Sequence, residues 1–249
     1  MKKKSSWFHG LMAFLILNVL WFLASLWLKQ DMLPSPLKVY QHLFQMNVTK
    51  MSLHVYNSFI RLFWGMLLAV FIGFFVGLLM GRSEKWNKLL DPIVYLTYPI
   101  PKIALLPIIM LLFGLGNQSK IILILLIVVF PVILSVRDGI KGIPESYFKQ
   151  LKVLGASNWQ LFKLITLPAG LASILSAIRV ALGTAIAILF FTEVYGTQYG
   201  LGYFIMDAWG RLDYLDMYSG ILILSAVSFV LFLLIDKVEA RLLKWRQYT

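Results

Sequence analysis

Arg61, Lys102, Arg179 and Glu193 fall in stretches of sequence that are otherwise apolar. Lys102 stands midway along "YPIPKIALLPIIM", where an ammonium inside a membrane costs at least about 2.5 kcal/mol unless it is compensated. Such a charge either attracts an anionic solute or is satisfied within the protein, by snorkelling or by pairing with a carboxylate. Pro99, Pro101 and Pro107 each remove a backbone donor from the same stretch. In lipid, backbone freed in this way is tolerated only against protein or a wet cavity. The segment, with Tyr98 and Pro101 beside Lys102, is therefore a candidate wall for a polar path. Tyr98 either anchors and packs or stacks on a flat solute. Arg179 lies about ten residues into its stretch, too deep to reach water easily. It pairs with backbone carbonyls or a neighbouring helix, or it meets the solute. Glu193 is the acid placed inside an apolar stretch, near its outer end. Arg61, near an outer boundary, is read as snorkelling.

This chemistry is recognition and passage, not catalysis. His9 is separated along the chain from His42 and His54, and the sequence contains neither G-x-S-x-G nor H-E-x-x-H. With no cysteine, disulfides and thiolate chemistry are excluded together. No G-x-x-x-x-G-K-[ST] is present, so the chain has no phosphate-cradling loop of that kind. It is expected to bind no cofactor and no metal of its own.

The elements that must position these residues are membrane spans. The chain has 249 residues, 60% hydrophobic, with a mean hydropathy of +0.81. Only 14% are charged, against about 25% in ordinary soluble domains. Apolar runs of about 18 residues or more recur, long enough to cross about 30 Å of hydrocarbon. The expected fold class is all-α, a polytopic protein with six spans at 7–28, 55–80, 90–113, 119–136, 169–193 and 217–235. The first follows a basic start, and its apolar run is too long for a cleaved signal peptide. Residues 30–54 hold a candidate surface helix, "PLKVYQHLFQM", and 194–216 is read as a loop. Gly65, Gly73, Gly77 and Gly81 mark a close-packing face on the second span.

Six spans place both termini on one side, and the charges choose the side. That side carries Lys2, Lys3, Lys4, Arg82, Lys85, Lys88, Arg137, Lys141, Lys149, Lys152, Lys163, Lys237, Arg241, Lys244 and Arg246. The other carries Lys29, Lys38, Lys50, Lys120 and Arg211. Basic residues concentrate in cytoplasmic loops, so both termini and the 137–168 loop are expected in the cytoplasm. The net charge of +12 is then topological and does not indicate nucleic acid.

The 137–168 loop reads as a hairpin. Pro144 and Glu145 suit the first turn of a helix, which runs to about Val153 and stops at Gly155 in a left-handed conformation. Ser157 and Gln160 have the spacing of a capping box that opens a second helix. Trp159, Phe162 and Ile165 form an apolar stripe on it, and Leu167 before Pro168 is expected to end it. Pattern alone leaves two uses open: resting on the membrane surface, or docking a cytoplasmic partner.

The segment Gly155, nine residues, then Ile165-Thr166-Leu167-Pro168 resembles the G-x₉-I-x-L-P core of the EAA motif, which marks permease subunits of binding-protein-dependent ABC importers. "NSFIRLFWG", "YPIPKIALLPIIMLLFGLGNQSKI", "GLASILSAIRVALGTAI" and "GLGYFI" resemble the nitrate/sulfonate/taurine branch, which includes the aliphatic sulfonate permeases. The likeness covers about 55–245. It divides the chain into a first helix and outer loop (1–54), a permease transmembrane domain (55–245) and a tail (246–249). Where the family usually has Glu-Ala-Ala, this chain has Lys149-Gln150-Leu151.

The resemblance implies a type I importer fold in a bacterial cytoplasmic membrane. It implies that Gly155, Ala156, Ser157, Trp159, Gln160, Phe162, Ile165, Leu167 and Pro168 form a coupling element against a cytoplasmic ABC ATPase. Two copies of that ATPase would use ATP and Mg, a second and commonly identical permease chain would complete the path, and an extracytoplasmic binding protein would deliver the solute. The solute implied is a small anion such as a sulfonate, taurine or nitrate, with a thiamine-precursor pyrimidine or other small heterocycle as the alternative. An ion-coupled secondary transporter, which usually carries several intramembrane acids, fits the composition less well.

Overall fold

The computed structural model describes residues 2–28 and 31–243, with side chains from Phe8 onward. Lys29, Lys244, Arg246 and the 246–249 tail lie outside the described residues, as do the side chains of Lys2, Lys3, Lys4 and Trp7. The described elements are helical throughout. In order they are α1 (Lys2–Leu28), α2 (Pro36–Gln45), α3 (Val48–Arg82), α4 (Glu84–Thr97), a 3₁₀ turn (Lys102–Leu105), α5 (Leu106–Phe113) and α6 (Asn117–Lys141). There follow α7 (Glu145–Val153), α8 (Asn158–Leu161), a π turn (Phe162–Thr166), α9 (Leu167–Glu193), α10 (Leu201–Gly210) and α11 (Tyr214–Leu242).

Among the described residues, five helical runs are long and apolar enough to cross a membrane: Phe8–Leu28, α3, α6, the continuous Asn158–Glu193 run and α11. The count reaches six when α4 and Lys102–Phe113, which meet at a bend of 78°, are taken as one broken span. Pro99 and Pro101 account for the break, because neither has an N–H to continue the ladder. Pro107 was expected to interrupt this span as well. It lies instead in the first turn of α5, where the missing N–H has no partner to lose.

The core lies where α6 is sandwiched between α3 and α9. The glycine stripe makes the first contact possible. A Cβ at Gly73 would stand 2.7 Å from Val132, and one at Gly77 would stand 2.7 Å from the carbonyl oxygen of Ile133. Small residues at this spacing let two backbones approach where lipid supplies no hydrophobic drive. By contrast α1 is exposed along almost all of its length from Phe8 onward. Its anchors lie on its second half, where Trp21 stacks on Tyr218 at 5.7 Å and donates to the Pro34 carbonyl, and Asn18 accepts from Tyr40.

Two further expectations are corrected. The 194–216 loop contains α10, whose Leu201, Ile205 and Ala208 are buried at helical spacing; ten residues are too few to span, so the run reads as a loop when only spans are sought. The helix that begins at Asn158 does not end at Leu167 but continues into α9. The Leu167 N–H bonds the carbonyl of Phe162, five residues back. That wider turn makes room for the Pro168 ring, which in an ordinary α-helix would clash with the preceding turn.

Candidate functional site

At one face of the bundle, α7, α8 and the π turn form the hairpin. Gly155 has φ +81, the left-handed region that a side chain disfavours, and its N–H bonds the Lys152 carbonyl at 2.9 Å. Ser157 then opens α8 with a complete capping box. Its Oγ accepts from the Gln160 N–H at 3.3 Å, and Gln160 Oε1 accepts from the Ser157 N–H at 2.7 Å. Trp159 stacks obliquely on Phe162 at 5.4 Å, and the Arg82 guanidinium lies 4.9 Å from the Phe162 ring centre. The tip keeps its apolar side chains in the open: Val153 is 88% exposed, Leu154 81% and Trp159 68%.

Helix length bounds where this tip can stand. Glu193 and Trp159 are thirty-four residues apart on one continuous helical run, about 51 Å of helix at about 1.5 Å per residue. The hydrocarbon is about 30 Å thick and the headgroup layer adds about 5–7 Å on each side. With Glu193 at the opposite edge, the run is long enough to carry the tip past the headgroups into water.

At the opposite face a buried polar cluster joins α3, α6, α9 and α10. Arg61 is 2% exposed and Glu193 fully buried, with Arg61 Nη1 donating to Glu193 Oε1 at 2.7 Å. Arg61 also donates to the Tyr199 carbonyl (2.7 Å), to Thr197 Oγ1 (3.0 Å) and from Nε to Asn117 Oδ1 (2.8 Å). Glu193 accepts from the Gly202 N–H, and Ser58 Oγ lies 2.8 Å from both carboxylate oxygens while accepting from the Leu201 N–H. Lys120, also fully buried, donates to the Leu115 and Gly116 carbonyls. The expectation that Arg61 snorkels is thus overturned. The signal was present: Ser58 and Arg61 share one helix face, at the same end of the bundle as Glu193.

The other pathway candidates are not gathered at one point. Lys102 Nζ donates to the carbonyls of Thr97, Tyr98 and Ile100 at 2.8, 3.0 and 3.4 Å, and lies 4.5 Å from the Phe130 ring centre. Its three protons cap the broken end of α4, and its partners are carbonyls in place of the expected carboxylate or surface water. Tyr98 and Pro101 are exposed at the same elbow. Arg179 pairs with Asp236 and Glu239 of α11, the neighbouring-helix reading of its role. Among the described residues, no group of His, Asp and Glu is arranged to hold a metal.

These features define a class: a helical membrane subunit with an elbowed span, a closely packed glycine seam and a hairpin with an exposed apolar tip. Residues 69–244 match the family described as binding-protein-dependent transport system inner membrane component, and the chain belongs to it. It is a permease subunit of a bacterial ABC importer, located in the inner membrane. It is 32% identical over 238 residues to the taurine transport system permease protein of Escherichia coli K12, covering 92% of this chain and 86% of that one. The formylaminopyrimidine transport permease protein of Halalkalibacterium halodurans is 29% identical and covers 99% of both chains. The fold is similar to that of a chain from inward-facing structures of the MetNI methionine ABC transporter. That likeness has a TM-score of 0.66 at 21% identity and covers 79% of this chain and 99% of the other.

Proposed function

We propose that two copies of this permease enclose one solute path, and that each engages a cytoplasmic ATPase subunit through its α7–α8 hairpin. The observation that carries this reading is the exposed apolar tip formed by Val153, Leu154 and Trp159, on a helical run longer than the bilayer requires. Apolar side chains grouped in this way favour a protein partner over solvent. The excess of Lys and Arg on the hairpin side supports a cytoplasmic placement for that face and for both termini. Gly155, Ala156, Ser157, Trp159, Gln160, Phe162, Ile165, Leu167 and Pro168 form the coupling element. ATP and Mg are used by the partner, since this chain carries no phosphate-binding loop. An extracytoplasmic binding protein delivers the solute to the opposite face.

The elbow around Tyr98, Pro101 and Lys102 lines the path, because its broken backbone requires protein or water beside it. Arg179 and Glu193 position neighbouring helices around it. The solute is a small anion of the sulfonate, taurine or nitrate kind. The relative named for formylaminopyrimidine, matching over 99% of both chains, supports a small heterocycle as a second reading. Uptake of labelled taurine and formylaminopyrimidine by vesicles reconstituted with the complete importer separates the two. Trp159→Asp or Gly155→Pro leaves the permease inserted and abolishes copurification of the ATPase; an intact, active complex with either variant would refute the docking reading.

A further inference from the structure

Between the hairpin and the ends of α3 and α6 lies a cleft of about 810 Å³. Its walls carry Arg82, Lys141, Lys149 and Lys152 against two carboxylates, Glu84 and Glu145. Both carboxylates have partners already: Glu145 is held by Lys149 at 3.0 Å, and Glu84 faces Lys88 at 3.7 Å. Arg82 lies over the Phe162 ring. Lys141 and Lys152 have no carboxylate partner among the described residues, and both are exposed. The cleft therefore presents two uncommitted ammonium groups in a cavity with a net positive wall.

Its place and charge narrow what can enter. Arg82 is twenty-one residues from Arg61 on α3, about 31 Å, and so marks the near edge of the hydrocarbon. The wall carrying Lys141, Lys149 and Lys152 lies at and beyond the ends of α3 and α6, on the hairpin side. There a net positive concavity selects an acidic partner. The exposed apolar tip lies beside it on the same hairpin, so one protein can engage both.

We infer that this cleft seats an acidic segment of the cytoplasmic ATPase subunit, with Lys141 and Lys152 receiving its carboxylates. The inference rests on the docking reading above. It adds an electrostatic contact to the apolar one and gives Lys149, where the family pattern is broken, a place on the wall of that contact.

The test uses the complete importer, with permease and cognate ATPase co-expressed and purified through the permease. Lys141→Glu with Lys152→Glu is expected to lower the ATPase retained about tenfold, the effect of two like-charge clashes at an interface. Permease yield and melting temperature are expected to be unchanged. For the wild type, retention falls as salt rises from about 0.1 M to about 0.5 M. Selection for restored uptake is expected to return Asp or Glu changed to Lys or Arg in the ATPase. Full retention by the double variant, with loss in Trp159→Asp, overturns the cleft assignment and leaves the docking reading standing. Full retention by both variants overturns the docking reading as well. Retention unchanged by the lysine reversal, with uptake that needs phosphatidylglycerol vesicles only when the lysines are present, overturns the inference in favour of a lipid headgroup.

Discussion

Trp159 and Glu193 lie at opposite ends of one continuous helical run, and their surroundings are opposite as well. Around Glu193 the ionised groups are buried, and Arg61 uses four of its N–H donors on four different acceptors. At the hairpin tip Val153, Leu154 and Trp159 are exposed, and the capping box and glycine turn set the local shape from residues of the hairpin itself. The buried cluster ties α3, α6, α9 and the start of α10 into one register. The hairpin is fixed within itself and joined to the bundle chiefly through α9. The contrast separates changes that unfold the permease from changes that only uncouple it.

The largest effect is expected at the buried pair. Glu193→Leu leaves the Arg61 guanidinium buried without its counter-ion and is expected to cost about 3–5 kcal/mol, read from unfolding of the detergent-purified permease. Trp159→Asp, at the other end of the same run, is expected to cost under about 0.5 kcal/mol by the same measurement, even though it removes the partner. A loss near 1 kcal/mol for Glu193→Leu would break the comparison, because the cluster would then be no more than a surface pair in effect.

The seam between α3 and α6 comes next. A Cβ at Gly77 would stand 2.7 Å from a backbone oxygen, which cannot move aside without shifting α6. Gly77→Ala is expected to cost about 1–3 kcal/mol. Gly10→Ala on α1, where nothing lies within 4 Å, is expected to be neutral. Equal melting temperatures for the two variants would mean that the seam is looser than the contact distance requires.

Much of this was legible because membrane spans and caps are local signals. The Gly155 turn and the Ser157–Gln160 box each rest on residues within a turn or two of one another, and the apolar lengths and the glycine stripe on a single uninterrupted segment. What was missed depends on tertiary partners. Arg61 reads as a snorkelling side chain because nothing near it in sequence accepts its protons; Glu193 is 132 residues away. For Lys102 the sequence leaves an anion attractor and a satisfied cation both open, and the carbonyls that hold it exist only once α4 has broken. Pro168 reads as a terminator because sequence rules assume α geometry, and the π turn that admits it changes the ladder by one residue. The short α10 has the right periodicity but not the length that marks a span.

Within the hairpin, Gly155→Ala isolates the backbone term. No atom lies within 4 Å of the added methyl, so the cost is that of a left-handed residue, about 1–2 kcal/mol. It is expected to appear as faster hydrogen exchange in α7 and α8, with the melting temperature of the bundle unchanged. A fall in global stability instead would show that the hairpin is part of the cooperative core.

The smallest effect, and the sharpest check on the hairpin, lies in the capping box. Its two arms differ in length: Gln160 Oε1 is 2.7 Å from the Ser157 N–H, whereas Ser157 Oγ is 3.3 Å from the Gln160 N–H. Replacing an N-cap serine usually costs about 1 kcal/mol. Here the shorter bond belongs to the glutamine, so Gln160→Ala is expected to accelerate exchange of the α8 amides at least as much as Ser157→Ala. The double variant is expected to exceed either alone, since each arm satisfies a different N–H. If only Ser157→Ala has an effect, the serine arm carries the cap and the hairpin start is held as in an ordinary helix. If neither does, α8 is held by its continuation into α9, and the hairpin is less independent of the bundle than its exposure implies.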